Sequence, residues 1–161
     1  MENVHWKKAW AGVFRYENEE KQDGKKFKKN EVLKKLNCTL ESGVYAILAP
    51  NGVGKTTLMR CIADIYSYHG EIKFNGKNIK KQKVKIGYLP QQFGLFPELT
   101  VYQMMEYFCN LKKISKKERK AAIEICLKKV NLYDKKDEKN RKLSGGMIRR
   151  VGIAQAILGE P

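Results

Sequence analysis

The sequence predicts an α/β fold, with strands dominating its first half and helices its second. Three observations carry this. Residues 43–49, "GVYAILA", form a nearly continuous apolar run of the kind a buried central strand requires. That run passes through a glycine-rich loop into helical spacing, with Leu58, Met59, Ile62 and Ile65 on one stripe from Lys55 to about Tyr66. Beyond Pro90 the apolar residues recur at helical spacing and no longer alternate. A strand–loop–helix unit in mid-chain, with a helical region behind it, gives an α/β core carrying a helical insertion.

The elements follow in order. The aromatic stretch "VHWKKAWAGVFRY" predicts a strand, and "ENEEKQDGKK" a polar, glycine-containing turn or insert. Residues 32–40 predict a short strand. In "EIKFNGKNI", Asn75-Gly76 is a hairpin turn between two short strands. "KVKIGYLP" predicts a further strand, stopped by Pro90. Thr100 is placed to cap a helix through "VYQMMEYFCNLKK", and "SKKE" (Ser115 to Glu118) has capping-box spacing before a helix to about Val130. On that helix Ala122, Cys126 and Val130 share a stripe with Ile123 and Leu127, a pattern for core packing. A last helix follows "LSGGM" and carries Ile148, Val151, Ala154 and Leu158.

Composition narrows the class. Hydrophobic residues make up 42% and charged residues 31% of the 161 positions, which suits one folded domain of ordinary size or part of a larger one. No apolar run approaches the ~18 residues of a membrane helix, and no apolar stretch follows the N-terminal lysines, so no signal peptide is expected. The four cysteines, Cys38, Cys61, Cys109 and Cys126, include no C-x-x-C pair and read as reduced thiols of a cytosolic protein. Thirty-three Lys plus Arg against 17 Asp plus Glu give a net charge of +16. Only six of the cations are Arg, the residue suited to reading bases, and the lysines lie in several separate clusters. A solvated lysine-rich surface is therefore expected, and no specific nucleic-acid partner.

The stretch with chemical content is "APNGVGKTT", residues 49–57. It fits the phosphate-loop pattern G-x-x-x-x-G-K-[ST] except at its first position, where Ala49 stands for Gly. A bound phosphate needs several backbone N–H groups turned inward, and Gly52 and Gly54 permit this because they tolerate positive φ. The helix N-terminus adds partial positive charge. Lys55 would reach the β- and γ-phosphates, the Thr56 hydroxyl would hold Mg²⁺, and Thr57 would bond the phosphates further back. Ala49 is excluded only if its backbone needs positive φ. By itself the loop indicates ATP or GTP binding.

Two later motifs make the reading specific. "APNGVGKTT", "GYLPQ" (residues 87–91) and "LSGGM" (residues 143–147) together resemble the Walker A, Q-loop and signature motifs of ABC transporter ATP-binding subunits, in that family's order. The resemblance runs from about residue 25 to residue 161. It implies a P-loop NTPase fold of the ABC type, with a β-rich N-terminal part and a helical subdomain. It divides the chain into a nucleotide-binding core at 25–91, a helical subdomain at 92–143 and a signature helix at 144–161, with 1–24 an N-terminal strand or insert. It further implies ATP and Mg²⁺ as ligands, with Asn51, Gly52, Val53, Gly54, Lys55, Thr56 and Thr57 around the phosphates. Phe27 falls where an aromatic usually stacks on adenine; a core or turn aromatic is the alternative. Gln91 would contact Mg²⁺ and the attacking water, its amide able to accept and donate. Ser144, Gly145 and Gly146 would cap the γ-phosphate held by a second, facing ATP-binding domain, identical or not. Met147 departs from the usual Gln. "FGLFPELTVYQMMEYF" resembles the surface that meets a membrane permease.

The resemblance thus implies a cytoplasmic subunit, peripheral on the inner face of the membrane, that couples ATP binding and hydrolysis to transport. In the family, a Walker B strand with its Asp and Glu follows the point reached by "LGEP", so the 161 residues alone are expected to hydrolyse ATP negligibly. The alternatives are a non-transport ABC protein acting on the ribosome or nucleic acid, and a non-hydrolytic nucleotide-binding module. A small-molecule kinase would leave "LSGGM" unexplained.

Overall fold

The computed structural model describes residues 10–18, 21–22, 25–26, 30–41, 43–82 and 86–161. They fall into two compact units, residues 1–84 and 85–161.

The first unit is built on an antiparallel sheet. Strands β1 (Trp10–Asn18) and β4 (Asn30–Leu40) pair along most of their length, from Trp10 opposite Leu40 to Asn18 opposite Asn30. Between them in sequence, β2 (Lys21–Gln22) and β3 (Lys25–Lys26) pair antiparallel within the stretch expected to be a polar turn or insert. The other edge of β1 takes β5 (His69–Phe74), and β5 takes β6 (Lys77–Asn78), giving the order β4-β1-β5-β6. The β5–β6 turn is the predicted one: Asn75 has φ 50 and Gly76 φ 74, the paired positive values that match a hairpin's twist. Helix α1 (Lys55–Ile62) stops earlier than expected, where Asp64 enters the left-handed region at φ 56. Cys61 alone is fully buried on α1; Met59 and Ile65 of the expected stripe are exposed. A short helix α2 (Ile79–Gln82) closes the unit.

One expectation fails clearly here. Residues 43–49 are not a buried strand. They carry no ladder pairing, and Val44, Tyr45, Ile47 and Leu48 are exposed, Leu48 to 91%. A strand needs a neighbour to take its N–H and C=O groups. No described strand of this chain lies beside this one, so its apolar pattern has nothing to pack against.

The second unit is helical. Helix α3 (Val101–Leu111) opens on a complete capping box: the Gln103 N–H donates to Thr100 Oγ1 (3.1 Å), and the Thr100 N–H donates to Gln103 Oε1 (2.9 Å). Helix α4 (Lys116–Lys129) lacks the predicted box. Ser115 Oγ donates instead to the Glu118 carboxylate (2.6 Å), a side-chain pair that leaves the backbone uncapped. Helix α5 (Gly145–Ile157) completes the unit. Val101, Met105, Cys109, Ile123, Leu127, Val151 and Ala154 are fully buried in a single core between the three helices. The stripes foreseen on α4 and α5 point into it, with Ala122, Val130 and Ile148 half-buried at its margin.

A backbone zipper fixes the approach to α5. The Val101 and Tyr102 N–H groups donate to the carbonyls of Glu138 (3.0 Å) and Lys136 (2.8 Å), and the Asn140 N–H to Leu99 (2.9 Å). Asn140, a buried polar residue, adds a bond from its amide to the Phe96 carbonyl (2.9 Å). Outside, Glu98 pairs with both Lys139 and Arg141 (3.2 Å each). The predicted strand in "KVKIGYLP" is absent over its described residues 86–90. That segment pairs with no strand and lies against α5, where an added Cβ on Gly87 would stand 2.5 Å from the Ala156 carbonyl oxygen.

Met105 is fully buried among the three helices. Met105→Ala should cost about 2–5 kcal/mol through lost burial and a residual cavity. Thr100→Ala, which removes only the cap, should cost about 1 kcal/mol. Denaturant unfolding followed by circular dichroism checks both values and their order.

Candidate nucleotide-binding site

The loop from Pro50 to Gly54 turns on two glycines. Gly52 has φ 85 and Gly54 has φ 100, both in the region L side chains avoid. Gly54 is the N-cap of α1 and offers no side chain, so nothing of its own satisfies the N–H groups of the first turn. No acidic residue stands in that turn. The result is a helix N-terminus with open donors and uncompensated positive charge, the arrangement that receives an anion. Lys55 begins the helix and donates its ammonium to the carbonyls of Ala49 and Pro50, the latter at 2.7 Å. Asn51 and Val53 are exposed on the loop, the Thr56 side chain is exposed, and Thr57 is half-buried. Ala49 is not among the residues with positive φ, so its methyl group meets no backbone strain.

The helix behind the loop is anchored at its other end. Burial pushes the Cys61 thiol up from 9.0 to about 11, with Lys80 pulling the other way. Tyr68 is also buried; desolvation first, then the negative fields of Asp64, Cys61 and Glu71, raise its phenol to about 12. The Lys80 ammonium sits over the Tyr68 ring, 3.9 Å from its centre. Cys61, Tyr68 and Lys80 thus hold α1 against the end of its own unit while leaving the loop free.

In the second unit Gln91 lies exposed in a bend, and Ser144 is the N-cap of α5. Ser144 Oγ accepts the Met147 N–H (3.3 Å). Gly145 and Gly146 form the exposed first turn, with nothing within 4 Å of where a Cβ would stand. That turn carries no acidic residue either. Met147 packs half-buried against the core. Arg149 on α5 reaches back to the glutamine segment, donating to the Pro90 carbonyl (2.9 Å) and at longer range to that of Gln91 (3.5 Å). Sequence reasoning assigned Arg149 no role. "GYLPQ" pointed to the segment, but which helix it rests on is a tertiary fact. Phe27 lies outside the described residues.

The open donors of the Pro50–Gly54 loop and the first turn of α1 suit the phosphates of a nucleoside triphosphate. Among the described residues no group of three or more His, Cys, Asp or Glu forms a metal cage. A divalent ion here would be held through phosphate oxygens and single protein oxygens such as the Thr56 hydroxyl, as Mg²⁺ commonly is.

A glycine-turned loop opening a helix on a Lys-Thr-Thr start defines a P-loop nucleotide-binding protein. The chain belongs to the ABC transporter family, whose model matches residues 33–161. It is 36% identical over 142 residues to the Fe(3+) ions import ATP-binding protein of Fusobacterium nucleatum, covering 85% of this chain and 38% of that protein. It is 37% identical over 147 residues to the arginine transport ATP-binding protein of Bacillus subtilis and 40% over 152 residues to that organism's L-cystine import ATP-binding protein, with 85% of this chain and 61% of each relative covered. The chain therefore spans between 38% and 61% of the length of these relatives. Among solved structures it is similar to a putative ABC transporter ATP-binding protein from Pyrococcus furiosus, with TM-score 0.66 and 28% identity over 93% of this chain and 70% of that one.

The raised Cys61 pKa has a sign. Its folded value lies above the unfolded one, so the fold favours the protonated thiol. The Cys61 contribution to stability is full below pH 9.0 and falls as pH rises from there toward 11, a range in which the raised pKa values of Cys109, Cys126 and Tyr68 act in the same direction. Cys61→Ser, which keeps a small polar group but removes its titration in that range, should make this fall shallower; melting temperatures measured across the window test it.

Proposed function

We propose that the chain is the nucleotide-binding part of an ABC-type ATPase that powers a membrane permease. The observation that carries this is the loop geometry: two left-handed glycines deliver Lys55 and the open first turn of α1 to one place. In this reading the N–H groups of residues 52–57 cradle the phosphates, Lys55 leaves its carbonyl partners for the β- and γ-phosphates, and Thr56 binds Mg²⁺. Phe27 stacks on adenine. Gln91 orients the attacking water, and ATP bound with Mg²⁺ supplies the phosphoryl group that water accepts. Ser144, Gly145 and Gly146 receive the γ-phosphate of a facing domain, since an exposed helix N-terminus with two glycines has room for a partner's ligand.

The permease contact is assigned to residues 92–143. Support comes from aromatic side chains left at the surface: Phe96 and Tyr107 are exposed and meet edge to face, with ring centres 5.4 Å apart. No helix among the described residues is long and apolar enough to cross a membrane; the proposal places the pore in a separate permease. Work at the cytoplasmic face of the membrane follows from this reading. Similar relatives are named for iron, arginine and cystine, so the cargo is set elsewhere than in this nucleotide site.

Binding of Mg-ATP to the complete protein, measured by equilibrium dialysis, tests the assignment. Lys55→Ala should weaken binding by roughly a hundredfold or more, as expected for losing a charge-assisted phosphate contact of about 3 kcal/mol. Ala49→Gly should change affinity by less than about threefold, because no strain is relieved at that position. Wild-type affinity in Lys55→Ala would remove the nucleotide site from this loop.

A further inference from the structure

The segment that carries Gln91 touches α5 at three points. Arg149 donates to the Pro90 carbonyl at 2.9 Å. A Cβ on Gly152 would stand 2.6 Å from Leu89 Cδ1 and 3.0 Å from Phe93 Cδ1. A Cβ on Gly87 would stand 2.5 Å from the Ala156 carbonyl oxygen and 3.0 Å from Pro161 Cγ. Residues 149, 152 and 156 are three and four apart and therefore share one face of the helix. The contacts differ in kind. At Gly152 the obstacle is the far end of a leucine side chain, which can swing aside. At Gly87 it is the backbone of α5, which cannot. Gly87 therefore sets how closely the segment approaches, and Arg149 sets where along the helix it is held.

Among the described residues no strand pairing performs this task. Residues 86–90 have no strand neighbour, and Pro90 has no N–H with which to make one. Its free carbonyl is the group Arg149 takes. The same helix begins at Ser144, so the segment bearing Gln91 is fastened to the helix whose first turn receives the facing domain's γ-phosphate in the proposed function.

We infer that Arg149 and Gly87 are positioning residues for Gln91, which tie its backbone to α5 so that Gln91 and the Ser144 turn move as one body. This rests on the proposed role of Gln91 in orienting water. Arg149 touches no nucleotide in this arrangement; it acts on turnover only through the place it gives Gln91.

The test is a double-mutant cycle on steady-state ATP hydrolysis by the complete protein, using Arg149→Met, Gln91→Ala and the pair. Arg149→Met should lower kcat roughly tenfold to a hundredfold, the usual cost of an ångström-scale misplacement, while KM for Mg-ATP moves little. Arg149→Lys keeps a donor and should recover part of the loss. In the Gln91→Ala background Arg149→Met should cost nothing more. Losses that multiply in the pair would overturn the inference while leaving Gln91 in its role. A fully active Gln91→Ala would overturn the role of Gln91 and the inference with it. Hydrogen exchange on the same variants gives a reading independent of turnover. Arg149→Met and Gly87→Ala should each speed exchange at residues 88–92 and leave the amides in the middle of α5 protected; unchanged exchange in both variants counts against the clasp.

Discussion

A helix leaves its first N–H groups without partners, and what this chain does with them at each helix governs where chemistry is possible. At α3 the donors are closed off by Thr100 and Gln103 bonding reciprocally. At α1 they are left open, because the N-cap is a glycine held at φ 100 that has no side chain to offer. At α5 the case is intermediate: Ser144 takes one N–H and two glycines expose the turn. The closed helix is a structural support. The ends of α1 and α5 are where an anion is welcome, since neither has an acidic residue in its first turn, whereas α4, likewise uncapped by its Ser115 side chain, carries Glu118 there.

The helical core is what gives the open end of α5 its fixed direction. Val101, Met105, Ile123, Leu127 and Val151 lock three helices together, and the zipper between residues 99–102 and 136–140 leads the chain into Ser144 with little freedom. The first unit works differently. Its antiparallel sheet shares backbone bonds among β1, β4, β5 and β6, and α1 is held at its far end by Cys61. A buried small residue at the end of a helix fixes it without crowding the loop at its beginning.

Much of this was legible from residues alone. Asn75-Gly76 specified its turn because two adjacent positive φ values suit few other pairs. Thr100, the α4 stripe and the helix after "LSGGM" were legible because caps and periodicity are local properties. The expectations that failed concern partners. "GVYAILA" and "KVKIGYLP" have strand composition, but composition cannot say whether a neighbouring strand exists, and over their described residues neither pairs with one. "SKKE" has the spacing of a capping box, yet Ser115 found the Glu118 carboxylate a better partner than the backbone. In the phosphate-type loop, the positive φ at Gly52 and Gly54 was legible one residue at a time. Arg149 was not, because its role depends on a carbonyl 59 positions earlier in the chain.

The exposed run at residues 43–49 also bears on how the molecule behaves in concentrated solution. Four large apolar side chains stand on backbone with no ladder partner, which is the composition of a sticky edge. The chain also carries a net charge of +16, and like charge holds copies apart. These two tendencies oppose each other, and added salt weakens only the repulsion, since the Debye length shrinks from about 30 Å at 0.01 M to about 10 Å at 0.1 M. Colloidal stability of these 161 residues is therefore a matter of ionic strength, with self-association favoured as the charge is screened.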